Sequence, residues 1–519
     1  MAATRRTGLS GAHRWLLVLS CLAVSLVIAS MAALYTALPE IAADTGATQA
    51  ELTWIVDGYT LALACLVLPA GALGDRYGRR AALIAGLLIF ALASGLPLLL
   101  DSPLWLIISR ALTGVGAALV MPSTLSLLTA GFPPERRNGA IGLWAGVVGA
   151  GAILGILGSG LLLEYGSWPW IFAGTALAGL VLSAASFTLP ESADEARPAF
   201  DPLGAVSGAL AVGAIVIAAI EIPARGWFDP LVLGALVVAV ISACAFVAVE
   251  LRVRQPLLDV RLFFDRGFGS GTAIIAVQFL VGFGMFMLMV QYLQLILGYR
   301  PLISALAMAP MMVPMIAVSA VAPWLAERVG LRWPTAGGLV LIGISMFGLA
   351  TVRTDTTYVE LLWPFLVMST GIGLCASPAT AAIIGGTPPE KHGVAAAVND
   401  AAREIGAAVG IAICGSVLAA GYSQRIAPAL DHVPEQARGP VGDSLAAALE
   451  VVDQVGPAAR PLAVLAEDAF VYGLHRASIT LGVLTLACAV LIALWAPGRR
   501  PREVDLLAPP EPVPSTGAR

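Results

Sequence analysis

The feature that most constrains this chain is its division into apolar runs long enough to cross a bilayer. Fourteen can be marked, at 15–36, 52–73, 81–101, 104–128, 139–163, 168–189, 203–221, 230–250, 270–297, 303–325, 334–351, 360–386, 398–421 and 474–495. A helix rises 1.5 Å per residue, so about 20 apolar residues span a hydrocarbon core of about 30 Å. In that solvent each backbone N–H and C=O needs a partner inside the protein, and a helix supplies it segment by segment. The chain is therefore expected to be an all-α polytopic membrane protein. Composition agrees, with 58% hydrophobic and 12% charged residues among 519 and a mean hydropathy of +0.88. A water-soluble domain carries about a quarter charged residues. The first run exceeds the roughly 7 to 15 apolar residues of a cleavable leader and reads as a membrane helix.

Several function classes are excluded at this stage. The net charge is only −4 and no basic block is present, so no nucleic-acid partner is expected. Cys21, Cys65, Cys244, Cys375, Cys414 and Cys488 all fall inside apolar runs without a CxxC or a Cys/His pairing, and read as small buried hydrophobes. No Gly-rich nucleotide loop ending in Gly-Lys-Ser/Thr is found, and His13, His392, His432 and His475 lie outside the spans or at an end. A primary ATPase and a His-based metal or redox enzyme are disfavoured, no cofactor is expected, and an ion gradient remains as the energy source.

An even number of spans puts both ends on one side. That side would carry Arg5, Arg6, Arg14, Arg76, Arg79, Arg80, Arg136, Arg137 and Arg197, together with most of the later arginines and Lys391. The opposite side has few basic residues outside one long loop, so both termini are expected in the cytoplasm. Residues 1–14 and 496–519 form polar tails, the second Pro-rich and expected to be disordered. The outside segment 422–473 contains Pro428, Pro434, Pro440, Pro457 and Pro461 and reads as an irregular connector, with room for a short helix at Ser444 to Gln454. A lid is the alternative.

The densest charge in the first half sits between the second and third runs, at Gly71-Ala72-Leu73-Gly74-Asp75-Arg76-Tyr77-Gly78-Arg79-Arg80. Leu73, Asp75, Arg76, Gly78 and Arg80 are echoed at one constant offset by Leu325, Glu327, Arg328, Gly330 and Arg332. Parallel repeats of this kind build transporters whose substrate site lies between the halves near the midplane. The arrangement predicted is 6+2+6: a bundle at 15–189, an inserted pair at 203–250 and a second bundle at 269–495.

Gly71 to Arg80 resembles the signature loop between helices 2 and 3 of the major facilitator superfamily. Arg110 to Ala118 resembles that superfamily's fourth-helix motif, and Gly151 to Gly160 is similar to its Gly-rich exporter motif. With fourteen spans and Trp54 to Tyr59, the chain resembles the 14-helix drug/proton antiporter branch, which includes quaternary-ammonium efflux pumps and actinomycete antibiotic exporters. The resemblance implies a monomeric, proton-coupled exporter of hydrophobic or amphipathic drugs or antibiotics, working by alternating access in the bacterial inner membrane. Export or uniport of another metabolite, such as a lipid, amino acid or siderophore, is an alternative, as is a non-transport sensor. The chain departs from the pattern at Ser30, where the branch often has an acid, and at Gly155-Ile156, where Gly-Pro is usual. Residues 303–325 carry no acid, which speaks against a strongly dication-selective site.

A charge at mid-helix costs about 2.5 to 3.5 kcal/mol on insertion scales and is usually functional. Asp57 and Arg110 lie at similar depth, roughly 8 to 9 Å below the outer ends of their helices, so an ion pair serving proton coupling is possible. A permanent helix tie or a solvated vestibule pair is the alternative. Asp400 and Glu404 share one helix face and are candidates for the substrate cavity, unless Asp400 merely caps a helix start. Tyr59, Met285, Gln278, Gln291 and Gln294 complete the candidate cavity, the amides because a buried amide needs a partner. Gly71, Asp75, Arg76, Gly78, Arg79 and Arg80 are candidate gating residues. The resemblance implies that Asp75 caps the helix carrying Asp400 and Glu404, with Arg79 as its partner. Gly151, Gly155 and Gly160 would let neighbouring helices approach closely.

Overall fold

A computed structural model describes residues 10–47, 49–100, 102–192, 200–431, 433–456 and 459–498. Of the tails expected at 1–14 and 496–519, residues 1–9 and 499–519 lie outside the described residues, as do Arg197, His432 and Pro457. The long helices are α1 (Gly11–Ala33), α2 (Gln49–Tyr77), α3 (Arg79–Gly95), α4 (Pro103–Gly131), α5 (Pro134–Tyr165), α6 (Pro169–Ser186), α7 (Pro202–Arg225), α8 (Pro230–Glu250), α9 (Arg266–Gln291), α10 (Met312–Val329), α11 (Arg332–Leu349), α12 (Tyr358–Gly385), α13 (His392–Leu430) and α14 (Arg460–Trp495). A short helix, Pro301–Met308, leads into α10. Among the described residues thirteen helices are long and apolar enough to cross a membrane. The other long helix is α11, which opens on Arg332-Trp333-Pro334 and packs along α12 and α14.

Local chemistry sets several helix starts. Asp201 and Asp229 each precede a proline, and their carboxylates accept from Gly204 N (3.0 Å) and Leu231 N (2.9 Å). Side-chain caps of this kind satisfy N–H groups that have no partner within the helix, and proline suits a first helical position. Asp265 does the same for Gly267 and Phe268 N, both at 2.9 Å, at the start of α9.

The repeat is visible in packing. In the first bundle α1 packs on α5, α2 on α4, and α3 on α4 and α6. In the second, α9 packs on α13, α10 on α12, and α11 on α12 and α14, which is the same scheme. The echoed turns also match in backbone, with φ of 116° at Gly78 and 87° at Gly330. A residue bearing a Cβ rarely adopts such angles. The polar break expected at 74–80 proves shorter: α2 runs to Tyr77 and α3 starts at Arg79, leaving Gly78 alone between them.

The segment expected to be irregular at 422–473 is largely helical. α13 continues to Leu430, helices Glu435–Asp443 and Leu445–Val455 follow, and α14 begins at Arg460. Ser444 caps the second short helix by accepting from Ala447 N at 3.2 Å, which places that helix where Ser444 to Gln454 was expected. Hydropathy stops at the last apolar residue, but these helices continue on polar contacts. Arg425 pairs with Asp468 at 2.9 Å, and the Tyr422 hydroxyl donates to Val441 O at 2.9 Å.

The two halves touch through glycine. A Cβ on Gly71 would lie 2.5 Å from Gly393 O and 2.7 Å from Ala397 Cβ, so α2 and α13 meet there backbone to backbone. On the other flank, Cβ atoms on Gly142 and Gly146 of α5 would lie 2.7 Å from Ser319 O and 3.0 Å from Ile316 Cα of α10. The expected smooth face of α5 is thus divided between partners. Gly151 and Gly155 face Ile28 and Ala29 of α1, and Gly160 faces Leu302. Overpacking a close contact costs about 1 to 3 kcal/mol. Gly71→Leu should therefore lower the thermal unfolding midpoint of the detergent-purified protein. Gly139→Leu, where a Cβ meets nothing within 4 Å, should leave it in place, and equal midpoints for both variants would contradict this packing.

Candidate functional site

Three features lie between the halves, ordered along α13. The first is at the end bearing the Gly78 turn. Asp75 is 4% exposed, and its two carboxylate oxygens accept from Gly393 N (3.0 Å) and Val394 N (3.1 Å) in the first turn of α13. Arg79 pairs with it at 2.7 Å and also donates to Glu390 O at 3.3 Å. An anion at a helix start takes up unpaired N–H groups and favours the positive end of the dipole. Arg80 braces the neighbouring segment, donating to Leu189 O at 2.9 Å and pairing with Glu191 at 3.4 Å. The Arg76 guanidinium stacks 5.2 Å from the centre of the Tyr77 ring. The repeat provides a smaller counterpart: Glu327 accepts from the Asn138 amide at 2.9 Å, near the start of α5.

The second feature is a buried charge cluster two to three turns into α13. Asp400 and Arg403 are 0% and 1% exposed, with their charged atoms 3.5 Å apart. Asn399 donates to Asp400 at 3.4 Å and accepts from Thr380 at 3.0 Å. The Arg403 guanidinium sits 4.8 Å from the Trp144 ring centre on α5 and 5.2 Å from that of Phe279 on α9. Trp144 in turn donates to Thr124 on α4 at 3.2 Å. A polar chain thus crosses from one half to the other. Asp400 does not cap a helix start, because α13 begins eight residues earlier and Asp75 occupies that start. Glu404 is buried in the same stretch, and one of its oxygens has no partner among the described residues.

The third feature is a cavity of about 410 Å³ bounded by α1, α2, α5, α7, α9, α13 and the Pro301–Met308 helix. Tyr35, Leu38, Leu52 and Gln294 among its lining place it toward the end opposite Gly78. Phe283, Phe286, Met287 and Met308 make its wall apolar and adaptable. Among the described lining residues Asp57 alone is charged, with Gln291 and Gln294 providing amides. Of the candidate cavity residues, Gln291 and Gln294 are therefore in place. Asp400 and Glu404 lie short of the cavity, whose α13 contribution begins at Ala407. Tyr59, Gln278 and Met285 are buried in helix interfaces outside it.

Asp57 and Arg110 form no ion pair among the described residues. Arg110 is 2% exposed and donates to Ile55 O and to the Ser30 hydroxyl, each at 3.2 Å. It stacks 4.3 Å from the Tyr59 ring centre, and the Tyr59 hydroxyl donates to Val27 O at 2.9 Å. Depth was matched in the sequence but azimuth was not. Residues two apart on a helix do not share a face, so the Tyr59 ring turns toward Arg110 while Asp57 turns into the cavity. Ser30, the position lacking the usual acid, is where Arg110 now anchors. Sequence reasoning missed Trp144, Tyr35 and the α7 wall. A tryptophan within the Gly-rich α5 was the one available signal for the first.

The family model for the Major Facilitator Superfamily matches residues 20–411. The chain is 31% identical to the tetracenomycin C resistance and export protein of Streptomyces glaucescens, over all of this chain and 97% of that one. It is 32% identical to the methyl viologen resistance protein SmvA of Salmonella typhimurium, over 93% of this chain and 98% of that one. Among solved structures, a bacterial homologue of the human lysosomal transporter Spinster superposes with a TM-score of 0.60 at 16% identity, covering 94% of this chain and 98% of the other. Fold, internal repeat, family model and full-length relatives agree, and the chain belongs to the major facilitator superfamily.

Proposed function

We propose that this chain is a secondary exporter of hydrophobic or amphipathic drugs or antibiotics, driven by inward movement of protons. The observation that carries the reading is the apolar cavity between the halves with one carboxylate, Asp57, in its wall. Relatives named for tetracenomycin C export and methyl viologen resistance support a drug substrate. Asp57 suits a ligand that carries positive charge, since a charge entering an apolar wall needs a partner.

The protein acts as a monomer in the bacterial inner membrane. Its arginine-rich end, with both termini, lies in the cytoplasm, as the distribution of basic residues supports. α11 is the fourteenth span, completing 6+2+6. In that orientation the cavity belongs to the outward side, and Asp75, Arg79 and Gly71 form the closed inner gate. Asp57 is the site where a proton replaces the drug. The buried Asp400, Arg403 and Glu404 group lies between gate and cavity and ties the two halves. A membrane potential supplies about 2.3 kcal/mol per charge per 100 mV, enough for one proton per cycle to sustain about a fifty-fold drug gradient for each 100 mV.

Asp57→Asn should abolish proton-driven efflux from sealed vesicles while drug binding to the purified protein stays measurable; efflux at the unsubstituted rate would exclude Asp57 as the coupling site. Drug accumulation indifferent to a protonophore would favour a uniporter, and no flux of any test compound would favour a sensor. Asp75→Asn removes a buried carboxylate that pairs with Arg79 and accepts from the first turn of α13, a loss of about 3 to 5 kcal/mol. Its unfolding midpoint should fall well below that of the parent, and an unchanged midpoint would show that the contact contributes little.

A further inference from the structure

The inserted helix α7 occupies a place that two six-helix bundles leave open. α2 and α13 meet directly at Gly71, Gly393 and Ala397. Farther along they are separated, and α7 fills the gap. On the α2 side a Cβ on Gly213 would lie 2.5 Å from Cys65 Sγ, and on the α13 side Gly415 faces Pro223 at 3.4 Å. Val212, Val216, Ala219 and Ile222 of α7 form one apolar cluster with Ala64 of α2 and Ala408 and Ala412 of α13. Val216, Ala219 and Ile220 also line the cavity. On the opposite flank the halves close on each other without an inserted element, through Gly146 against Ile316 and Gly160 against Leu302. α8 stays outside, with only 11% of its span buried, and packs on α7 with Phe246 against Gly208.

We propose that α7 is a specificity-determining wall of the transport site, closing the cavity against the bilayer on the α2/α13 flank and setting ligand size at Ala219. The proposal rests on the exporter reading above. The physical need is plain: a slot between diverging helices would admit acyl chains into an apolar cavity and compete with the ligand. Alanine at 219 leaves room that Val216 and Ile220 on either side do not, so the side chain at this position limits how bulky a ligand fits.

Two measurements on the full-length protein test this. Ala219→Trp should reduce export of bulky polycyclic drugs about tenfold or more, the scale on which a pocket discriminates by size, while small drugs stay within about twofold. Val237→Trp, on the exposed outer side of α8, should change neither. Separately, Ala219→Cys should react with a membrane-impermeant thiol reagent above the level of the unsubstituted protein and its six cysteines, and Val237→Cys should not. Equal loss for all drugs in Ala219→Trp, or an unreactive Ala219→Cys, would overturn the proposal. The labelling result stands even where Ala219→Trp fails to fold. If the unsubstituted protein exports no drug but Ala219→Cys still labels, the exporter reading fails while the wall remains.

Discussion

The structure depends on one carboxylate placed between its two halves. Asp75 belongs to α2, yet both of its oxygens bind N–H groups of α13, and its charge is balanced by Arg79 on the adjoining helix. Burying a charge is costly unless it is paired and hydrogen-bonded. Here the pairing is complete only while α2 and α13 are in contact. Gly71 permits that contact, since any side chain there would strike the α13 backbone. Closing the halves at this end leaves the space between them at the other, and the cavity lies there.

α13 links the successive layers. Its first turn receives Asp75, its fourth carries Arg403 against Trp144 of the opposite half, its fifth contributes Ala407 and Ala408 to the cavity, and its far end extends beyond the apolar run to Leu430. A tilt of this one helix would release the inner contact and reshape the cavity wall together. The buried Arg403 constrains any such movement. A guanidinium stacked on indole and held near Asp400 has few intermediate positions that keep its charge satisfied.

Much of this was legible in the chain because the bilayer is a severe solvent. Apolar run length located the helices, the echo of Asp75 at Glu327 disclosed the repeat, and the glycines marked close approach. What escaped was governed by other forces. Polar continuations of α13 and α14 carry contacts such as Arg425 with Asp468, which hydropathy does not register. Depth in the membrane follows from counting residues, but the direction a side chain faces depends on packing. Thus Asp57 and Arg110 were matched in height and proved to face different ways. The position of Ser30 could be read as a missing acid, but not as the group to which Arg110 would turn. The runs at 203–221 and 230–250 read as an inserted pair, but only packing shows α7 against both α2 and α13.

The central claim is that the Asp75 contact holds the Gly78 end closed. Spin labels on Tyr77→Cys and Glu390→Cys, both exposed beside that contact, report its opening by pulsed electron resonance in a background without the native cysteines. The account predicts a single short distance in this background, and a second, longer population once Asp75→Asn is added. A distance distribution unchanged by Asp75→Asn would contradict it.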